Sequence, residues 1–337
     1  MPEFDYSAYF GSITPLADTL RDSPTRFWEA SPEQIQQRHD YVLYLGCNVL
    51  RTVHLAEAIV AVLKTLGVDF ITLGGPSNCC GIVHFRNGDA AVSSRLTRHT
   101  LGKFTRIRPK AVLMYCPSCH SHMDAVLPDG QFGFGVPYFH VTEFLAGRLG
   151  RMSFKNRISR RIGLHAHVGF PQQCADTEHT RAILSAIPGL EVVVLPAGDG
   201  WGRACTPTQI SDVGAGRHSA LVAGMFHAAR AHGCDGIAAV YHSCYRELLP
   251  REAEFSLEWF NYVELLAASL GLGPFTPRYK RLKLAQNPDA AYAELAPRAR
   301  DRGVAAETLR RTVQTHFAPE PARPAAASGS SDCKEQG

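Results

Sequence analysis

No uninterrupted apolar run in this chain approaches the ~18 residues that a bilayer-spanning helix needs. One of the longest, Ala58 to Leu63, suits an ordinary buried helix. The opening stretch MPEFDYSAYFGSITP lacks the basic and apolar regions of a secretory leader. No transmembrane segment is expected, and the expected location is the cytoplasm, with membrane association only through partners. Charge of one sign is also scarce: 35 basic residues face 31 acidic ones, a net of +4, and the basic ones are scattered. That leaves no electrostatic footprint for nucleic acid. The arginines between Arg148 and Arg161 read as a solvated connection. Two redox signatures are missing as well. There is no C-x2-C-x2-C-x3-C run of the ferredoxin type and no G-x-G-x-x-G after a strand. By those motifs the chain carries neither an electron wire nor a flavin of its own.

What the chain does have is cysteine, ten in 337 residues. In a compartment that keeps thiols reduced, that number points to metal binding or redox chemistry, not to a disulfide scaffold. The length suits about two domains, and a hydrophobic content of 45% suffices for their cores.

Residues 1–39 read as a partly helical extension. Ser31 is a candidate N-cap, with Pro32 at the first helical position and Gln34 placed to close a capping box. From Tyr41 onward apolar strands alternate with helices: strands at 41–46, 68–73, 111–115 and 138–141, helices at 52–66 and 90–107. The second half repeats the pattern, with strands at 162–168, 191–195 and 237–241 and helices at 177–187 and 217–232. Near-continuous apolar strands between helices predict parallel sheets covered on both faces. The repeat shows in spacing too: Cys80 to Cys119 and Cys205 to Cys244 are both 39 residues. FHVTEFLAGRLG (139–150) likewise resembles FNYVELLAASLG (260–271). The expected fold is α/β, with two tandem Rossmann-like parallel-sheet domains at 40–155 and 156–275. C-terminal helices over 276–317 and a disordered Pro/Ala/Ser/Gly-rich tail at 318–337 follow.

Five cysteines of the first half each fall just after an expected strand: Cys47, then Cys79 and Cys80, then Cys116 and Cys119. In an open parallel sheet the carboxyl ends of the strands converge on one crevice, so these five are expected to form one site. Gly81 lets the backbone turn beside the vicinal pair. Pro117 suits the first turn of a helix whose free N–H groups favour negative sulfur. Thiolate-rich sites select zinc or iron–sulfur clusters. A four-ligand zinc site would leave one cysteine over, and a lone C-x-x-C redox pair would not explain Cys47 or the vicinal pair.

The pattern Cys47-x31-Cys79-Cys80-Gly81-x34-Cys116-x-x-Cys119 resembles the CCG cysteine-rich domain, as found in heterodisulfide reductase. The resemblance implies a noncubane [4Fe–4S] cluster on all five cysteines and cleavage of a disulfide or thiol substrate. It also implies partners, namely a ferredoxin-like iron–sulfur protein and a flavoprotein. The expected function is thus an iron–sulfur oxidoreductase subunit of a heterodisulfide-reductase-like complex. Two other readings stand beside it: a non-catalytic electron relay between a dehydrogenase and a quinone-linked partner, and a zinc-bound structural subunit. Three histidines, His84, His120 and His122, flank the cysteines. His84 is the one weak catalytic candidate, as a proton donor to sulfur, against the plainer expectation of a solvent-exposed loop histidine.

The second half departs from the pattern. His167 or Val168 stands where Cys47 would be, Ala204 and Cys205 match the vicinal pair, and Tyr241 and Cys244 match Cys116 and Cys119. Only two of five ligands survive, so a second cluster of that kind is not expected. His165, His167, Cys205, His242 and Cys244 leave two readings, a mixed histidine–cysteine zinc site or a dead site lining the interface with the first. Cys174, Cys234 and Cys333 match no motif position.

Overall fold

The computed structural model describes residues 4–127, 135–195 and 213–319. Ala204, Cys205 and nearly all of the expected tail, Cys333 included, lie outside the described residues. Two four-stranded sheets dominate. The first joins β1 (Tyr41–Gly46), β2 (Phe70–Gly74), β3 (Ala111–Met114) and β4 (Tyr138–His140) in the order β2-β1-β3-β4. The second joins β5 (Arg160–His165), β6 (Leu190–Val194), β7 (Gly236–Ala239) and β8 (Glu258–Asn261) in the order β6-β5-β7-β8. Every pairing is parallel. Parallel strands need a crossover between them, and helices supply it, including Val53–Thr65, Ala90–Ile107, Pro171–Ser185 and Ala215–Ala231. Central strands β3 and β7 are buried along their whole length, whereas edge strand β6 is mostly half-exposed. Burying a Leu such as Leu43 or Leu113 in this way contributes about 1.5–3 kcal/mol.

The two halves superpose in register. Met114 of β3 pairs with Tyr44 of β1, and Ala239 of β7 pairs with His165 of β5. Each central strand then leads into a helix through an N-cap, Cys116 before Pro117–Val126 and Tyr241 before His242–Leu248. Matching the caps matches Tyr44 with His165, so Cys47 corresponds to Val168 and Gly46 to His167. The fourth strands agree: His140 caps the helix Val141–Ala146 and Asn261 caps Tyr262–Ser269.

The boundaries differ from the sequence reading in places. The second strand begins at Phe70, because Val68 still bonds back to Leu63 O and Asp69 turns to accept Asp40 N. The helix expected from Thr177 begins at Pro171, whose ring suits a first turn. The strand expected to reach Val168 stops at His165. Beyond it the His167 N–H donates to Thr177 Oγ1, which donates in turn to His167 O. The Ser31–Gln34 capping box is formed.

The C-terminal helices Arg278–Ala285, Pro288–Asp301 and Ala306–Phe317 close on the N-terminal helix Ile13–Leu20. Arg298 Nε donates to Thr19 O at 2.7 Å and Arg278 Nη1 to Leu20 O at 3.0 Å. Between the halves lies Asp176, almost fully buried, which accepts from Tyr241 Oη, Gln172 Nε2 and Thr142 Oγ1.

Candidate metal centre

Each of the five first-half cysteines is delivered by the end of a strand. Cys47 follows β1 and opens the 3-10 turn Asn48–Thr52. Cys79 and Cys80 follow the turn Pro76–Asn78 after β2. Cys116 caps the helix after β3, and Cys119 lies in its first turn. All five are buried, none more than 5% exposed.

The sulfurs form a chain of contacts. Cys47 Sγ and Cys79 Sγ are 3.8 Å apart. Cys79 also meets Cys80, Cys80 meets Cys119, and Cys119 meets Cys116. The Gly81 N–H donates to Cys79 Sγ at 3.4 Å. Two glycines leave room for this crowding. Gly46 has a left-handed backbone (φ +67°), and a Cβ there would stand 2.6 Å from Cys119 Sγ. Gly81 (φ +93°) would drive a Cβ to 2.6 Å from Ser93 O. Both conformations are ones that glycine adopts at little cost. Nearby carbonyls are pinned: Thr97 Oγ1 donates to Cys80 O at 2.7 Å and Thr100 Oγ1 to Cys79 O at 3.0 Å.

Five thiols packed into a dry site cannot all ionise by themselves. They divide instead. Hydrogen bonds from Cys47 and Cys80, helped by Gly81 N–H, push the Cys79 thiol down to about 3. The Cys119 contact, with His242 alongside, holds Cys116 well below the ordinary thiol range. Cys47 is pushed up by its bond to Cys79 and by burial, and Cys119 by its bonds to Cys116 and Cys80 and by burial. For Cys80 the contact with Cys119 pulls down, but Cys79 and burial outweigh it. Making all five into thiolates requires positive charge at their centre. The donor set is soft sulfur throughout, which fits a metal cluster.

The flanking histidines are neither exposed nor on loops. His120 and His122 are on the helix Pro117–Val126, with exposures of 4% and 1%. His122 Nε2 meets Thr97 Oγ1 at 3.3 Å. His84, on the short helix Ile82–Arg86, contacts Asp89 at 3.3 Å and stacks on Tyr6 with ring centroids 4.1 Å apart. Burial, the largest influence, pulls His120 and His122 down.

His242 is the residue whose place the sequence did not reveal. It belongs to the second half, yet it lies near Cys116, with its ring facing that of Tyr115 at a centroid distance of 6.3 Å. Arg246, one helical turn on, is fixed by Glu247 and by Asn48 Oδ1 at 2.8 Å, beside Cys47. Arg51, half-buried, adds a second cation near Cys47. No local sequence pattern signals this crossing.

In the second half, His165, His167 and Cys244 are buried together, with ligand atoms all within 4.8 Å of one another. Cys174 is exposed and Cys234 buried, and neither belongs to this group or the first.

Residues 41–124 match the model of the family described as "Cysteine-rich domain", CCG. The chain is 26% identical over 269 residues to a dihydromethanophenazine:CoB–CoM heterodisulfide reductase subunit of Methanosarcina mazei, covering 75% of this chain and 64% of that one. The corresponding subunit of Methanosarcina barkeri is 27% identical over 195 residues, 55% of this chain and 47% of that one. An EtfAB:quinone oxidoreductase of Syntrophomonas wolfei is 32% identical over 110 residues, 32% of this chain and 15% of that one. The chain thus spans less than two thirds of the length of these curated relatives. The cysteines at the ends of β1, β2 and β3 thus all lie inside the stretch, residues 41–124, that is similar to the CCG cysteine-rich domain.

Proposed function

We propose that the chain is an iron–sulfur redox subunit of a heterodisulfide-reductase-like complex. Cys47, Cys79, Cys80, Cys116 and Cys119 would hold one noncubane [4Fe–4S] cluster. The observation that carries this reading is the continuous chain of five buried sulfurs in a site left open by Gly46. When bound, such a cluster supplies single-electron steps and an iron that takes a substrate sulfur. The protein's own residues do the rest. Arg51 and Arg246, both half-buried, place positive charge beside the thiolates and favour the more reduced state. His242 stabilises negative sulfur at Cys116. His84, held by Asp89, is a candidate to deliver a proton to a leaving thiolate.

The relatives' names, a heterodisulfide reductase subunit and an EtfAB:quinone oxidoreductase, support a substrate of the disulfide or thiol class and a place among partner subunits; the partners proposed are an iron–sulfur protein and a flavoprotein. No helix among the described residues is long and apolar enough to cross a membrane. A relative named a probable membrane-anchored ferredoxin fits a membrane role reached through a partner. One observation favours a second reading, an electron relay without turnover: no cysteine of the site is more than 5% exposed.

The test is anaerobic purification followed by iron and acid-labile sulfide analysis and an EPR spectrum after mild oxidation. About four irons per chain are expected, with the absorption lost in Cys79→Ser and Cys116→Ser. Full iron and an unchanged spectrum in both variants would refute the five-cysteine assignment. Reduction of a low-molecular-weight heterodisulfide by the reduced chain separates the catalytic reading from the relay.

A further inference from the structure

The register between the halves places His167 where the first half has Gly46. In the first half that position must be bare, because a Cβ would stand 2.6 Å from Cys119 Sγ. In the second half an imidazole occupies it, and its Nε2 lies 3.2 Å from Sγ of Cys244, the counterpart of Cys119. His165, at the end of β5, hydrogen-bonds the same sulfur. The two rings lie with centroids 4.7 Å apart. The space kept open for a cluster on one side is therefore filled on the other by nitrogen donors aimed at a single sulfur.

We infer that the second half binds one mononuclear divalent metal ion of the zinc class on His165, His167 and Cys244. The donor types are right, since imidazole and thiolate together suit zinc. So is the scale. Zn–S near 2.3 Å and Zn–N near 2.0–2.1 Å in a tetrahedron put nitrogen and sulfur about 3.5 Å apart, against the 3.2 Å between His167 and Cys244. The site is preformed and dry: exposures are 0% for His165, 2% for His167 and 1% for Cys244. The His167 backbone is clamped from both sides by Thr177 Oγ1, and Tyr241 packs against its ring, centroids 4.7 Å apart. Tyr241 in turn donates to the interface carboxylate Asp176 at 2.8 Å. The ion would tie the end of β5 to the helix His242–Leu248 within the second half, and with three protein donors its tetrahedron keeps a fourth position for a further ligand. Binding requires the Cys244 thiol to lose its proton to solvent and involves no electron transfer.

Zinc, not iron, is the readout, so this site stands or falls apart from the cluster assignment. The full chain, purified without oxygen and given equimolar zinc salt, is analysed for metal and by zinc K-edge X-ray absorption. The expected result is about one zinc per chain, coordinated by imidazole nitrogen and sulfur. It should survive in Cys116→Ser and fall at least tenfold in occupancy in His167→Gly, while the iron content of His167→Gly stays at the wild-type level. No zinc bound, or coordination by sulfur alone, would overturn the inference. Zinc retained in His167→Gly but lost in Cys116→Ser would overturn it too, by placing the ion among the first-half cysteines. If His167→Gly does not fold, the wild-type absorption spectrum decides alone.

Discussion

At the scale of single residues, Gly46 and His316 carry the sharpest expectations. Gly46→Ala introduces a methyl 2.6 Å from Cys119 Sγ at a left-handed backbone position. Overpacking of that kind costs about 1–3 kcal/mol, and here it also displaces a proposed ligand. The variant should lose most of its iron while melting only modestly earlier, measured by metal analysis and circular dichroism; unchanged iron would show that Cys119 is not a ligand. His316 is buried, meets Ser12 Oγ at 3.2 Å, and is held well below the ordinary histidine range by burial first, then by Arg51, Arg246 and Lys283. Its folded pKa lies below the unfolded one. Its contribution is thus complete above about pH 6.5 and is lost as pH falls from there toward the folded pKa. His316→Gln keeps a side chain able to hydrogen-bond Ser12 and removes this dependence. Between pH 7.5 and 5.5 the wild type should lose more stability than the variant, by up to about 1.4 kcal/mol per pH unit, as read from denaturant midpoints.

At the scale of elements, the helices of both halves depend on the caps at strand ends. Asn261 ends β8 and begins Tyr262–Ser269: its side chain accepts Val263 N at 3.2 Å, and Glu264 reaches back to Asn261 N at 2.8 Å. Asn261→Ala should cost about 1–2 kcal/mol, measured by chemical denaturation, and a loss under about 0.3 kcal/mol would mean the cap is compensated elsewhere. These elements are largely legible in the sequence. The helix over Ala90–Ile107 and the strands of the first sheet follow directly from apolar periodicity. β8 is different. Its four residues EWFN are too short to show a period, and only the likeness of 260–271 to 139–150 hinted that a strand-to-helix junction lies there.

At the scale of the whole molecule, the two ends of the described chain form one clamp. Leu16 is fully buried where Ile13–Leu20 meets the C-terminal helices. The arginine contacts to Thr19 O and Leu20 O tie the same surfaces. Leu16→Ala should cost about 2–5 kcal/mol. Amide hydrogen exchange should then rise together in residues 13–20 and 278–317. A rise confined to one of the two segments would show that they are not a single unit.

The sequence by itself determined the α/β class, the repeat and the five clustered cysteines, because each rests on a short-range signal. Apolar period marks a strand or a helix, and a strand's carboxyl end marks where its next residue emerges. Only the tertiary structure decided the rest. Pairing register, which depends on partners some 70 residues away, matched Val168 rather than His167 to Cys47. The packing of one half on the other brought His242 near Cys116 and Arg246 onto Asn48. Such contacts join residues far apart in the chain, and no local pattern encodes them, because their energy comes from surfaces that exist only once both halves are folded.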